Sequence, residues 1–350
     1  MAESKPSFSL VGTVLERDVF NPYGLFLLPA QKMLQYEDII LLQKHRVESV
    51  SVSKPAEVSP LEKPFDSWND REAARQYLAT LDQTRDLFRK ITEVYIPPLN
   101  QFQEAFFPIL DKVLNRNGIL QYMYLREGST DYTYRHSINV GILAAIIGKL
   151  MNYSPEQVIL LGQAGLLHDV GKMVVPYDIL MKPDKLTSHE FEIMKQHTVF
   201  GADLLLKAED SHDLFTLGAL LHHERLDGSG YPEGRKWDTI PLECQILSVA
   251  DVFDAICTDR VYKRGTSPFD AARVLWESAC DGKLNAEIVT RLVHYIALLF
   301  VGATAVLNSG QHVKVVLIHT DEPMRPLVHM GEEYIDLRQH RSLSIERMIG

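Results

Sequence analysis

Cysteine is scarce: the 350 residues hold three, Cys244, Cys257 and Cys280, an odd number with no CxxC spacing. That excludes a disulfide framework, and reduced thiols in a cytoplasmic protein are expected. Long apolar runs are missing too. The longest, YIALLFVGATAVL at 295–307, falls well short of the roughly 20 residues a membrane span needs. The opening MAESKPSFSL lacks the charged-then-apolar profile of a secretory leader. Positive charge is in deficit, with 36 Lys and Arg against 46 Asp and Glu and a net charge of −10. A broad basic face for DNA or RNA is therefore not expected. A small phosphate ligand stays compatible with an acidic chain, because a few clustered cations suffice to hold it. Internal repeats and low-complexity tracts are absent as well.

What is present is ordinary for a folded protein with a core: 46% hydrophobic and 23% charged residues. The length predicts two or three domains. Residues 1–55 carry short apolar pieces, FSLVGTVL, GLFLLPA and VESVSVS, around one helical stretch at YEDIILLQKH, which predicts a small α+β module. Residues 56–125 read as a proline-bearing linker and a helical connector that IPPLN at 96–100 must break. Helical patterns dominate 126–300. In HSINVGILAAII, His136, Val140, Leu143, Ala144 and Ile147 share one helix face. Residues 301–350 alternate between apolar runs and turns and predict a short β-rich tail.

Of the thirteen histidines, eight sit among polar neighbours or in predicted strands and read as surface or turn residues: His45, His189, His212, His294, His312, His319, His329 and His340. The other five differ in setting. His136 opens an apolar helix, His168 precedes Asp169 in AGLLHDVGK, and His197 lies in EIMKQHTVFG. His222 and His223 are adjacent in LLHHERLDGSGYPEG, and Asp251 lies on the apolar SVADVFDAICTDR. One such residue alone is usually a hydrogen-bonded core polar group. Seven on successive helical segments are hard to bury without a metal. Imidazole and carboxylate suit ions such as manganese, iron and zinc, and an aspartate between two ions makes the clamp used in phosphoryl chemistry.

The ordered set YTYRHSINV, LLHDVGK, PYDILMKPDKLTSHEFEIMKQHT, LHHERLDGSGYPEG and IPLECQILSVADVFDAICTDRVYKR resembles the HD-GYP family of bacterial cyclic dinucleotide phosphodiesterases. The resemblance implies a mainly α protein whose 126–300 segment is an all-helical HD-type phosphohydrolase bundle. It makes His136, His168, Asp169, His197, His222, His223 and Asp251 metal ligands, with Asp169 as bridge and catalytic residue. Lys172 is implied beside the attacked phosphate. Arg260 and Lys263 match positions that touch phosphate or base, and Asp254 is expected to orient a ligand. Gly228 and Gly230 allow a tight loop with positive φ, and Tyr231 can stack on a base.

In family members with three metals a glutamate stands four residues before the helix histidine, where this chain has Tyr132, and Asp131 is poorly placed to replace it. Two divalent ions, iron or manganese, are therefore expected. The implied reaction cuts cyclic di-GMP to pGpG, with a further cut to GMP open. Cyclic di-GMP synthase proteins of the GGDEF type are implied partners, and the N-terminal module with the helices at 69–125 is a candidate for signal sensing or for pairing with a second copy of the chain. Two alternatives stay open: a receptor that binds cyclic di-GMP without turnover, and a phosphohydrolase acting on another cyclic dinucleotide or a mononucleotide.

Overall fold

The computed structural model describes residues 3–6, 10, 13–22, 25–30, 32, 34, 36–53, 71–115, 132–182, 184–257 and 268–349. Asp131, Arg260, Lys263 and most of the linker lie outside these residues. The chain divides into two compact units, Met1–Lys63 and Pro64–Gly350.

The first unit holds β1 (Glu3–Ser4), β2 (Val14–Leu15), β3 (Val19–Phe20), β4 (Phe26–Leu28), α1 (Tyr36–Lys44) and β5 (Val50–Ser53). β5 lies between β1 and β2, antiparallel to both, and β3 pairs with β4 as a hairpin. Leu15, Leu34, Ile39 and Leu42 are fully buried and form its small core. This is the α+β module expected from the apolar pieces.

The second unit is mainly helical. α2 (Arg71–Phe88) and α3 (Leu99–Asn115) are separated at the IPPLN break. Then come α4 (Tyr132–Leu150), α5 (Pro155–Leu167), a 3-10 turn (Val170–Val174), α6 (Tyr177–Leu180), α7 (Ser188–Lys195), α8 (His197–Leu206) and α9 (Asp213–Leu221). α10 (Leu242–Cys257), α11 (Pro268–Cys280) and α12 (Ala286–Leu298) complete the helices. Local chemistry fixes several starts. Ser154 caps α5 and Thr187 caps α7, each donating its own backbone amide in return to the side chain three residues on, Gln157 and Glu190. Asn285 caps α12 through the amides of Glu287 and Ile288.

α4 departs from the single apolar face its sequence predicts. Every residue from His136 to Gly148 is buried, because α2, α3, α5, α10 and α12 pack around it. A helix wrapped on all sides needs no polar face. Among the described residues no helix is long and apolar enough to cross a membrane.

The chain ends in a five-stranded antiparallel sheet of β6 (Thr304–Leu307), β7 (His312–Leu317), β8 (Leu327–Met330), β9 (Glu333–Asp336) and β10 (Ile345–Ile349), in the order β10-β6-β7-β8-β9. Ala305, Leu307, Val313, Val315, Val328, Leu337 and Ile345 form its apolar cluster, joined by Ala297 of α12.

Candidate metal centre

Five histidines and two aspartates from five helices and their ends meet inside the bundle. His136 comes from α4, and His168 and Asp169 from the end of α5. His197 opens α8, His222 and His223 follow α9, and Asp251 lies on α10. Six of the seven are buried, and His223 is half-buried.

Asp169 sits at the middle. Its Oδ1 lies 3.3 Å from His197 Nε2 and 3.7 Å from His222 Nε2. Its Oδ2 lies 3.3 Å from His168 Nε2 and 3.6 Å from His136 Nε2. Asp251 faces the same space, with Oδ1 3.1 Å from His136 Nε2 and Oδ2 3.5 Å from His223 Nδ1.

The outer nitrogens explain why the inner ones converge. His168, His197 and His222 donate Nδ1–H to the carbonyls of Gly165, Met194 and Gly218 at 2.7, 2.7 and 3.0 Å. His136 Nδ1 is held by Asp254 Oδ2 at 2.7 Å. Each tether fixes the tautomer and turns the Nε2 lone pair inward. Asp254 is fully buried and also accepts from Asn139 Nδ2 at 2.9 Å, and Asn139 in turn accepts from the Tyr77 hydroxyl at 2.8 Å.

His168 Nε2 and Asp169 Oδ1 have no hydrogen-bond partner although both are buried. Native proteins rarely leave such atoms orphaned. An aligned lone pair and carboxylate oxygen without donors fit a cation. Three sets of ligand atoms lie close enough to hold one: His197, His222 and His223; His136, His168 and Asp251; and His168, Asp169 and His222.

Charge follows geometry. Burial opposes the Asp169 charge, yet His168 and Lys172 outweigh it, and the carboxyl stays well below the usual range. Asp251 is likewise depressed, with burial overcome by His136 and by the other imidazoles around it. Burial and neighbouring imidazoles drive His222 and His223 well down, toward the neutral form a ligand needs. His136 is opposite. Burial lowers it, but Asp251 and Asp254 together lift it to about 9.

Lys172 lies in the 3-10 turn and donates to Asp169 Oδ2 at 2.5 Å. The glycine before it is needed for close approach. A Cβ on Gly171 would sit 2.0 Å from the His197 carbonyl oxygen and 2.4 Å from the Gly201 nitrogen, so the turn and α8 touch backbone to backbone.

In the loop after α9, Gly228 has φ of +83°, whereas Gly230 is not in the positive-φ region expected of it. Its requirement is space. A Cβ there would meet Arg225 N, Glu224 Cα and His223 O within 2.5 Å. The Tyr231 ring lies 4.6 Å from the His223 ring, and the Tyr231–Pro232 peptide is cis. Burial, with Asp251 and Asp169 nearby, raises the Tyr231 phenol above its ordinary value. Tyr132 stacks on His136 with centroids 5.6 Å apart and planes 8° from parallel.

Sequence reasoning missed Glu224. It is 2% exposed, and its carboxylate accepts from the amides of Glu233, Gly234 and Arg235 at 2.8, 3.1 and 2.9 Å. It templates the loop that carries Tyr231. The one available signal was its place directly after the two histidines.

The HD domain family model matches residues 124–288. A cyclic di-GMP phosphodiesterase of Pseudomonas aeruginosa is 37% identical over 212 residues, 61% of this chain and 50% of the relative. One of Thermotoga maritima is 37% identical over 217 residues, 61% of this chain and 55% of the relative. The chain thus spans about half the length of these curated relatives. Bd1817, an HDG"Y"P protein from Bdellovibrio bacteriovorus, shares the fold, with a TM-score of 0.52 at 17% identity over 81% of this chain and 94% of that one. The ordered HDVGK and HHERLDGSGYP motifs both lie inside the matched HD-domain region, so the chain carries an HD domain and is similar in sequence to these phosphodiesterases.

Proposed function

We propose that the chain is a metal-dependent phosphodiesterase that opens cyclic di-GMP to linear pGpG. One observation carries the reading: the two oxygens of Asp169 face different histidine pairs, His197 with His222 and His136 with His168. His197, His222 and His223 would hold one ion, and His136, His168 and Asp251 a second, with Asp169 shared between them. Five imidazoles and two carboxylates suit iron or manganese. Such a pair, when bound, supplies charge stabilisation at phosphorus and an attacking water that is acidic enough at neutral pH.

The chain's own residues do the rest. Lys172 brings an ammonium to the same pocket, offsetting the charge that builds on the transferring phosphoryl group. Asp254 keeps the His136 Nδ1 proton in place, so its Nε2 stays directed inward. Tyr231 offers a ring to a base, and Glu224 holds the loop in register. Two ions rather than three accord with Tyr132, whose ring covers His136 on the side where the three-metal members have a carboxylate. The linear dinucleotide is then the main product and GMP a slow second one.

Both relatives carry names that specify cyclic di-GMP as substrate. All seven ligand candidates are present and converge, which favours turnover over binding alone. The reading includes the cytoplasm, where thiols such as Cys244 and Cys280 stay reduced. It also includes contact with GGDEF-type synthases through the GYP loop and self-association of the chain, tested by pull-down and light scattering. Metal analysis combined with chromatography of products against time tests the core of the reading. Two ions per chain, pGpG appearing first, and loss of activity on chelation with recovery on adding manganese or iron are expected. Intact cyclic di-GMP after incubation with the metal-loaded protein would overturn it.

A further inference from the structure

The rim of the centre carries two side chains that hydrolysis leaves without a task. Phe191 on α7 is 46% exposed, so its ring face is open to a ligand. It meets Tyr231 edge to face, with centroids 6.2 Å apart and planes at 80°. Lys195, one turn later on the same helix, places Nζ 5.5 Å from the Phe191 centroid and 5.7 Å from that of Tyr231. Its ion-pair partner, Glu192 at 2.8 Å, has a side chain 65% exposed, and such a surface pair holds a lysine only weakly. The neighbouring Lys182 is committed elsewhere, donating to both oxygens of Glu190 at 2.7 Å. Lys195 is therefore the cation of this helix that is available to a ligand at the corner between the two rings.

Aromatic faces take any base, because every base has a π-face. Discrimination needs hydrogen bonds. Guanine presents two acceptors, N7 and O6, on its major-groove edge, whereas adenine replaces O6 with an amino donor. An ammonium has donors only. It satisfies the guanine edge and opposes the adenine amino group. We infer that Phe191, Tyr231 and Lys195 form a base-reading corner that selects guanine over adenine in the cyclic dinucleotide. The inference rests on the phosphodiesterase reading above: Tyr231 touches His223, so a base in this corner lies beside the metal-binding residues and its phosphate reaches them.

The test uses the full metal-loaded chain and two substrates, cyclic di-GMP and cyclic di-AMP. The wild type is expected to prefer the guanine compound in kcat/KM. Lys195→Met keeps the stem over the rings and removes the donors. It should lower kcat/KM for cyclic di-GMP about tenfold, mainly through KM, and that for cyclic di-AMP less than about twofold. Phe191→Ala should raise KM for both about fivefold or more, and Phe191→Tyr should restore it. Equal losses on both substrates in Lys195→Met, no preference in the wild type, or an unmoved KM in Phe191→Ala overturns the inference. Cyclic di-GMP left uncut by the wild type overturns the phosphodiesterase reading instead. Equilibrium binding of the same two dinucleotides then decides the corner separately: a preference that survives Lys195→Met overturns it.

Discussion

Within the helical bundle, Asp169 is met by four imidazoles and one lysine. In the C-terminal sheet, Asp336 is met by His319, whose Nε2 lies 3.2 Å from Oδ1, and by Arg338 through its backbone amide, Nε and Nη2 at 3.0, 3.3 and 3.0 Å. Both groups pair a buried histidine with an aspartate, and they are built for opposite ends. A guanidinium stays protonated and only donates, so it saturates Asp336 and leaves nothing for an ion. An imidazole tethered at one nitrogen keeps a lone pair at the other. In the bundle the histidines are tethered at their outer nitrogens, which leaves the inner ones facing Asp169 in the candidate metal centre.

That contrast can be broken at its centre first. Asp169→Ala should abolish bound metal and cut turnover by about 10³-fold or more, the scale of losing an essential charged group, while helical circular dichroism stays near wild type. A variant that keeps two ions per chain and normal turnover would mean the centre lies elsewhere. Lys172→Ala should retain metal and lose about 10²-fold in kcat, since one oriented charge disappears from a water-excluded site. An unchanged rate would reduce this lysine to neutralising Asp169.

Glu224→Gln sharpens the comparison, because here a buried carboxylate is satisfied by backbone amides alone. The amide has one acceptor where three N–H groups need two, so unfolding free energy should fall by about 1–3 kcal/mol, with KM rising as the Tyr231 loop loosens. Denaturant titration and kinetics read the two effects. No change in either would show that the loop is held by other contacts.

Asp336→Asn should be the mildest change: metal content and turnover as in wild type, with about 1 kcal/mol of stability lost. The pH sign follows from the aspartate itself. Burial raises its carboxyl, Arg338 lowers it more, and it ends below the ordinary value. Its contribution is fully present above the unfolded carboxyl range and is lost as pH falls through the folded value. Acid unfolding of wild type and variant should converge at low pH. Curves that stay parallel would exclude this linkage.

Much of this was legible beforehand. Histidines at the ends of apolar helices, in fixed order, pointed to a cluster, and the seven ligand candidates do converge. The β-rich tail and the α+β start followed from alternation and turns. His319 was misread as a surface residue. It is 7% exposed, because the loop after β7 meets the end of β9, which β8 brings alongside by pairing with both strands, and no local pattern shows that. Glu224 stayed hidden because its partners are backbone amides, which every residue type carries. Gly230 was read as a positive-φ glycine when its requirement is proximity to the strand of chain just before it. The Phe191–Tyr231 contact joins α7 to a loop forty residues later, a distance that periodicity cannot see.

The carbonyl tethers on His168, His197 and His222 have one more consequence. Those imidazoles are aimed by carbonyls of their own or the preceding helix, so the backbone itself sets the direction of the inner nitrogens. On the function proposed above, which ion fills such a preset cluster would follow supply and the intrinsic affinity order rather than the fold.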